Sequence, residues 1–234
     1  MPIYINAAPI FVPMKRSSVK QIWALVKKDL LLEIRQQYSF YGVLLYVAST
    51  VFIVYLTNGQ PPDETWNALF WITLLFASVN AVAKSFLQDS KGRMLYYYTI
   101  ASARDYIIAK LIFNALLMVV MGMLTFFIFT ILLGNPLYDS LQFAGITVLG
   151  ALGLSLVFTF LAAIAAKAQQ QAALMAIMGF PVIVPQLLLL GKISKTAFSP
   201  VVQTGWWQMV LLLIALDAMI ILLALILFNF LWKD

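Results

Sequence analysis

Asp217 carries the most pointed chemistry in this sequence, because it stands inside the apolar stretch 206–232. At helical rise it lies about 16 Å from the Trp206 end, close to the middle of a bilayer. A carboxylate at that depth costs at least about 2.5 kcal/mol on insertion scales, unless it is protonated or paired. Asn80, Asn114 and Gln186, each inside another apolar stretch, are its candidate partners, and none is cationic. A protonated structural Asp and a functional one both fit, and neither implies catalysis. Pro181 and Pro185 form the second pointed feature, four residues apart with Gly179 just before them. Each removes a backbone donor and disturbs the helix ladder. In lipid the freed carbonyls need protein, side-chain or water partners. This segment is therefore expected to be kinked or unwound and packed against protein, as a hinge, a substrate-lining break or a tolerated kink.

The remaining inventory is narrow. With no Cys and no His in 234 residues, the chain lacks disulfides, thiolates, the commonest metal ligands and the side chain that titrates near neutrality. Met118, Met121 and Met123 are spaced as helix packing. The nine acidic residues are scattered, which argues against an intramembrane enzyme. Gly191-Lys192-Ile193-Ser194 lacks the spacing of a phosphate-binding loop. No catalytic, cofactor-binding or metal-binding residue is expected in this chain.

The elements that position these residues follow from composition. The chain is 63% hydrophobic and 10% charged, against about 45–50% and about 25% in soluble domains. That excludes a soluble globular enzyme, a disordered tail and a nucleic-acid binder. Helices crossing the hydrocarbon need about 20 apolar residues, and six segments qualify: 39–57, 66–87, 106–133, 141–166, 171–190 and 206–232. The expected fold is all-α: a polytopic membrane protein with six transmembrane helices and an N-terminal amphipathic interfacial helix. Its parts are a leader over 1–17, the interfacial helix over 18–36, and a transmembrane domain over 37–234 with a cytoplasmic loop at 88–105. Thirteen of the fifteen cations flank one side of these spans, and only Lys192 and Lys195 fall on the other. The positive-inside rule then places both termini in the cytoplasm. Lys15 and Arg16 follow a short Pro-broken apolar stretch instead of preceding it, so no secretory signal is expected. The spans show no inverted repeat and hold one midplane carboxylate, which argues against a secondary transporter.

Between 19 and 35, Val19, Ile22, Trp23, Val26, Leu30 and Ile34 share one helical face, with Lys20, Gln21, Lys27, Lys28 and Arg35 opposite. Such a helix lies in the headgroup plane; an ordinary basic flank is the plainer alternative. The loop at 88–105 is long for a connector. It opens polar through Gly92, turns apolar and aromatic, and ends at Ser102, a candidate cap for the third span. Docking to a soluble partner and a solvated basic loop both suit it.

The interfacial helix, the six spans and the inner-loop residues Phe86-Leu87-Gln88-Asp89, Gly92, Met94, Leu95 and Ala109-Lys110 resemble ABC-2 type permeases. Within them the chain is most similar to the heme exporter protein B (CcmB) family of cytochrome c maturation. The fifth span, Phe180-Pro181-Val182-Ile183-Val184-Pro185 closing on Gly191, carries the most specific likeness. The resemblance runs from about residue 19 to 232. Many relatives have a Leu-Glu pair after the Gly and a Ser-Pro before the third span, where this chain has Arg93-Met94 and Ser102-Ala103. The resemblance implies a non-catalytic permease subunit in the bacterial inner membrane. A separate ABC ATPase subunit would dock on Asp89, Gly92, Arg93, Met94 and Leu95. Heme-handling membrane proteins and a second copy of the chain are further implied partners, with heme and ATP held on partner subunits. The implied function couples ATP hydrolysis to heme delivery or to release of a heme-loaded chaperone. An ABC-2 permease exporting a lipid or polysaccharide is the alternative.

Overall fold

The computed structural model describes residues 18–35, 38–87, 102–167, 171–200 and 204–231. They form seven α-helices: α1 (Ser18–Arg35), α2 (Tyr38–Asn58), α3 (Asp63–Leu87), α4 (Ala103–Leu133), α5 (Ser140–Lys167), α6 (Gln171–Ser194) and α7 (Trp206–Leu231). A short 3-10 helix, Lys195–Phe198, follows α6. No strand occurs among the described residues, as expected for an all-α membrane protein. Five helices are long and apolar enough to cross a membrane, with candidate spans at Phe40–Thr57, Asp63–Val82, Ala103–Leu133, Ser140–Ala165 and Trp206–Phe228. The expected fifth span is α6, whose side chains at 171–178 lie outside the described residues.

Turn chemistry sets the ends. Gly59 and Gly134 adopt φ of 61° and 82° and stop α2 and α4, conformations a Cβ disfavours. The connections at 59–62 and 134–139 and the 3-10 helix Lys195–Phe198 gather at one end of the bundle, called here the far end. Helix α1 and the start of α4 belong to the other, the α1 end.

The bundle is organised around α5, which packs against α3, α4, α6 and α7. Without a hydrophobic drive between helices in lipid, close approach depends on small residues. Gly150, Ala151, Gly153 and Ser155 supply them on α5, and all are buried. Toward the far end Trp66, Phe70, Phe129 and Phe143 interlock, with ring centroids 5.0–5.7 Å apart in the pairs Trp66–Phe70, Trp66–Phe143, Phe70–Phe129 and Phe70–Phe143. Met118 and Met121 are buried in the same core, while Met123 faces out.

Two features differ in detail from the sequence reading. Helix α6 continues through both prolines without an unwound turn, and Pro181 and Pro185 are exposed instead of packed against protein. Their four-residue spacing puts both rings on one face, and Gly179, Ile183, Gln186 and Leu190 occupy the buried one. The apolar face of α1 is also divided. Val19, Trp23, Leu30 and Ile34 are exposed, but Val26 turns inward together with Asp29. A carboxylate can sit at that packed line because α4 provides a cation for it.

Candidate functional site

Three polar clusters are built into the apolar bundle. The first binds α1 to the root of α4. Ser102 caps α4, its hydroxyl accepting from the Asp105 backbone N–H at 3.1 Å, which satisfies one of the orphan donors of a helix start. The Asp105 carboxylate accepts in turn from the Ser18 hydroxyl on α1. One turn deeper, Lys110 Nζ lies 3.2 Å from Asp29 Oδ2, and both side chains are nearly inaccessible, 3% and 7% exposed. Lys28 Nζ holds the other oxygen of Asp29 at 2.8 Å. Lys110 also stands 5.8 Å above the Tyr106 ring, and that ring stacks on Phe228 of α7 at 5.9 Å. The root of α4 is thus fastened to α1 on one side and to α7 on the other.

The second cluster is at mid-bundle. Gln186 Nε2 donates to Asp217 Oδ1 at 3.1 Å, joining α6 to α7. Gly153 makes room for the pair, since a Cβ on it would fall 2.1 Å from Gln186 Nε2 and 2.8 Å and 3.0 Å from the two carboxylate oxygens. Of the three candidate partners, Gln186 is the one that reaches Asp217. Asn114 instead donates to Thr159 Oγ1 at 2.9 Å, and Asn80 is exposed, donating back to the Phe76 carbonyl of its own helix at 2.9 Å. The two asparagines sit on α3 and α4 at other depths and faces, a placement that hydropathy does not encode. Replacing Asp217 with Asn keeps a hydrogen-bonding partner for Gln186 and should leave the melting temperature in detergent nearly unchanged. Asp217→Leu orphans the buried amide and should cost about 1–3 kcal/mol. Equal melting temperatures for the two variants would show that the bond contributes nothing.

The third cluster closes the far end. Ser194 donates to Asn67 Oδ1 at 2.8 Å and accepts from Trp71 Nε1 at 3.0 Å. Asn67 Nδ2 donates to the Gly191 carbonyl at 3.0 Å. The backbone N–H groups of Tyr138 and Asp139 both donate to the Ala197 carbonyl, at 2.9 and 3.0 Å. These bonds tie α3 to α6 and the α4–α5 turn to the 3-10 helix.

None of the clusters gathers three or more Cys, His, Asp or Glu in metal-binding geometry among the described residues. What they can do is mechanical: each fastens helices to one another, the first and third across distant parts of the chain. The family model for CcmB protein matches residues 20–230. The chain belongs to the CcmB family. No curated protein and no solved structure matches it.

CcmB proteins are permease subunits, generally non-catalytic, that form the membrane component of ABC systems for heme export and cytochrome c maturation. The multi-pass character of this member agrees with its apolar helices. Its expected docking residues, Asp89, Gly92, Arg93, Met94 and Leu95, lie outside the described residues. The described root of α4 begins just after them, at Ser102. Sequence reasoning gave no role to Asp29 or Asp105, and used Lys110 as a topology-setting cation and as part of a family signature. The available signal was Lys110 itself, a cation seated after Tyr106 in an apolar helix, which demands a partner.

Proposed function

We propose that this chain is the membrane subunit through which a separate ABC ATPase drives cytochrome c biogenesis. ATP hydrolysis on the ATPase would be coupled to heme delivery or to release of a heme-loaded chaperone. The CcmB family match over residues 20–230 carries this reading. Heme and ATP belong on partner subunits in this scheme, because the chain has no His or Cys and no phosphate-binding loop. The assembly sits in the bacterial inner membrane with both termini in the cytoplasm, α1 lying on the cytoplasmic leaflet, and a second copy of the chain completing the permease.

The route for coupling is the segment that joins α3 to α4. An ATPase seated on Asp89, Gly92, Arg93, Met94 and Leu95 would push on α4 at its root. There Asp105 and Lys110 engage Ser18 and Asp29 of α1, and Tyr106 stacks on α7. Displacement of the loop would then move three helices together, a coupling between sites and not catalysis.

Co-purification with the ATPase and dependence of ATP hydrolysis on this chain test the reading. Asp89→Lys and Gly92→Val should lower recovery of the complex at least roughly tenfold, the loss that about 1.4 kcal/mol of docking energy represents. Membrane insertion should be unaffected. Intact assembly and coupling in both variants would remove the loop from the mechanism, and the absence of any ATPase partner would sink the function.

A further inference from the structure

We infer that Asp217 and Gln186 form a proton-binding site inside the bilayer. An un-ionised Asp217 donates its proton in a hydrogen bond to Gln186 Oε1 and closes an acid–amide ring between α6 and α7. Half of that ring is explicit, since Gln186 Nε2 donates to Asp217 Oδ1 at 3.1 Å. The other half answers a vacancy in the same amide. Gln186 Oε1 is buried and has no hydrogen-bond partner among the described residues, and its side chain is wholly enclosed. Leaving such an acceptor unmade in lipid is costly. Asp217, also buried, is the group beside it. An ionised carboxylate only accepts, and would turn its charge toward the lone pairs of that oxygen. A carboxylic acid carries one O–H donor beside one C=O acceptor, and so complements the N–H and C=O of an amide.

The surroundings favour a proton over any other counter-charge. A Cβ at Gly153 would crowd Gln186 Nε2 and both oxygens of Asp217, so the two groups share one small gap against α5. On every helix packed against α7, charged groups stand away from this depth. Those of α4 are Arg104, Asp105 and Lys110, all at its root. That of α5 is Lys167, its last residue. Helix α6 has Lys192, exposed and six residues beyond Gln186 toward the far end, about 9 Å along the axis. Helix α7 has no charged residue but Asp217. An uncompensated carboxylate at mid-bilayer is expensive. One bound proton removes the charge and supplies the missing donor together.

This site is independent of the coupling reading, and infrared spectroscopy of the full-length chain in detergent at neutral pH tests it. The carbonyl of an un-ionised acid absorbs apart from carboxylates and amides. One such band should shift when aspartate is isotope-labelled and vanish in Asp217→Asn. In Gln186→Leu the acid loses its partner, and the band should move to higher frequency. Exchanging the groups, Gln186→Glu with Asp217→Asn, rebuilds the ring from the other helix and should restore a band at the lower, bonded frequency. The exchange keeps both polar groups, so it decides the matter where the leucine variant fails to fold. Absence of an acid band from Asp217 in the unaltered chain would overturn the proposal and leave Gln186 Oε1 to a water or a metal cation. A band unmoved in Gln186→Leu would overturn the ring, as would an ionised carboxylate in the exchanged pair.

Discussion

Replacing Lys110 with methionine is expected to destabilise the protein by about 3 kcal/mol, the lower end of the ~3–5 kcal/mol seen when one partner of a buried ion pair is removed. Lys110 and Asp29 are 3.2 Å apart and almost wholly out of contact with solvent. Their mutual attraction offsets the desolvation of both. Methionine keeps the length and the packing against Tyr106 but leaves Asp29 Oδ2 without its cation. Lys28, on the other oxygen at 2.8 Å and 28% exposed, softens the loss, which is why the lower end applies. The double variant Asp29→Leu with Lys110→Met removes both charges and should recover most of the stability, since well-packed apolar pairs often match buried ion pairs. Thermal unfolding in detergent, with limited proteolysis of α1 as a local readout, makes the comparison. Should the single variant melt with the unaltered chain, the pair is not holding α1 to α4.

Gly150→Ala is expected to be comparably damaging at the other end of the bundle, by about 3 kcal/mol. A Cβ on Gly150 would sit 2.4 and 2.6 Å from two ring atoms of Trp71 and 2.9 Å from Leu190. Overpacking of this kind costs about 1–3 kcal/mol by itself. Trp71 cannot simply rotate away, because its indole N–H is held by Ser194 at 3.0 Å. Moving the ring breaks that bond and disturbs the Ser194–Asn67 contact, adding about 1–3 kcal/mol for buried groups left unpaired. Gly145→Ala is the matched control, with open space where its Cβ would go, and the gain in helix propensity there should leave the protein no less stable. If both alanine variants unfold at the same temperature, the tight α3–α5–α6 contact is not what closes the far end.

Span positions were legible from hydropathy because a helix in lipid must be apolar along its whole length. The helices α3, α4 and α7 end within three residues of the stretches expected from hydropathy alone. The amphipathic pattern of α1 announced a helix, and Ser102 was readable as its neighbour's cap from residue type and position. The outward face of the α6 prolines was not legible, because proline chemistry describes a local loss of a donor, whereas the tertiary packing decides which way the ring faces. For Asp217 the midplane depth followed from counting along the helix. Its choice of Gln186 over Asn80 and Asn114 did not, because partner choice depends on helix rotation and on which neighbour carries a glycine.

By itself, then, the sequence determined that this is a multi-pass helical membrane protein of the CcmB family. Composition and the period of apolar residues suffice for the first, and the inner-loop and paired-proline motifs for the second, since each is a property of the chain read along its length. The tertiary structure alone decided which polar groups meet. Asp29 is separated from Lys110 by two helices, Gln186 from Asp217 by 31 positions, and Trp71 from Ser194 by 123. Inside lipid each such group must find a partner or carry its full desolvation cost. Those partners are chosen by the rotation and spacing of helices packed on the small residues of α5, which no one-dimensional pattern specifies.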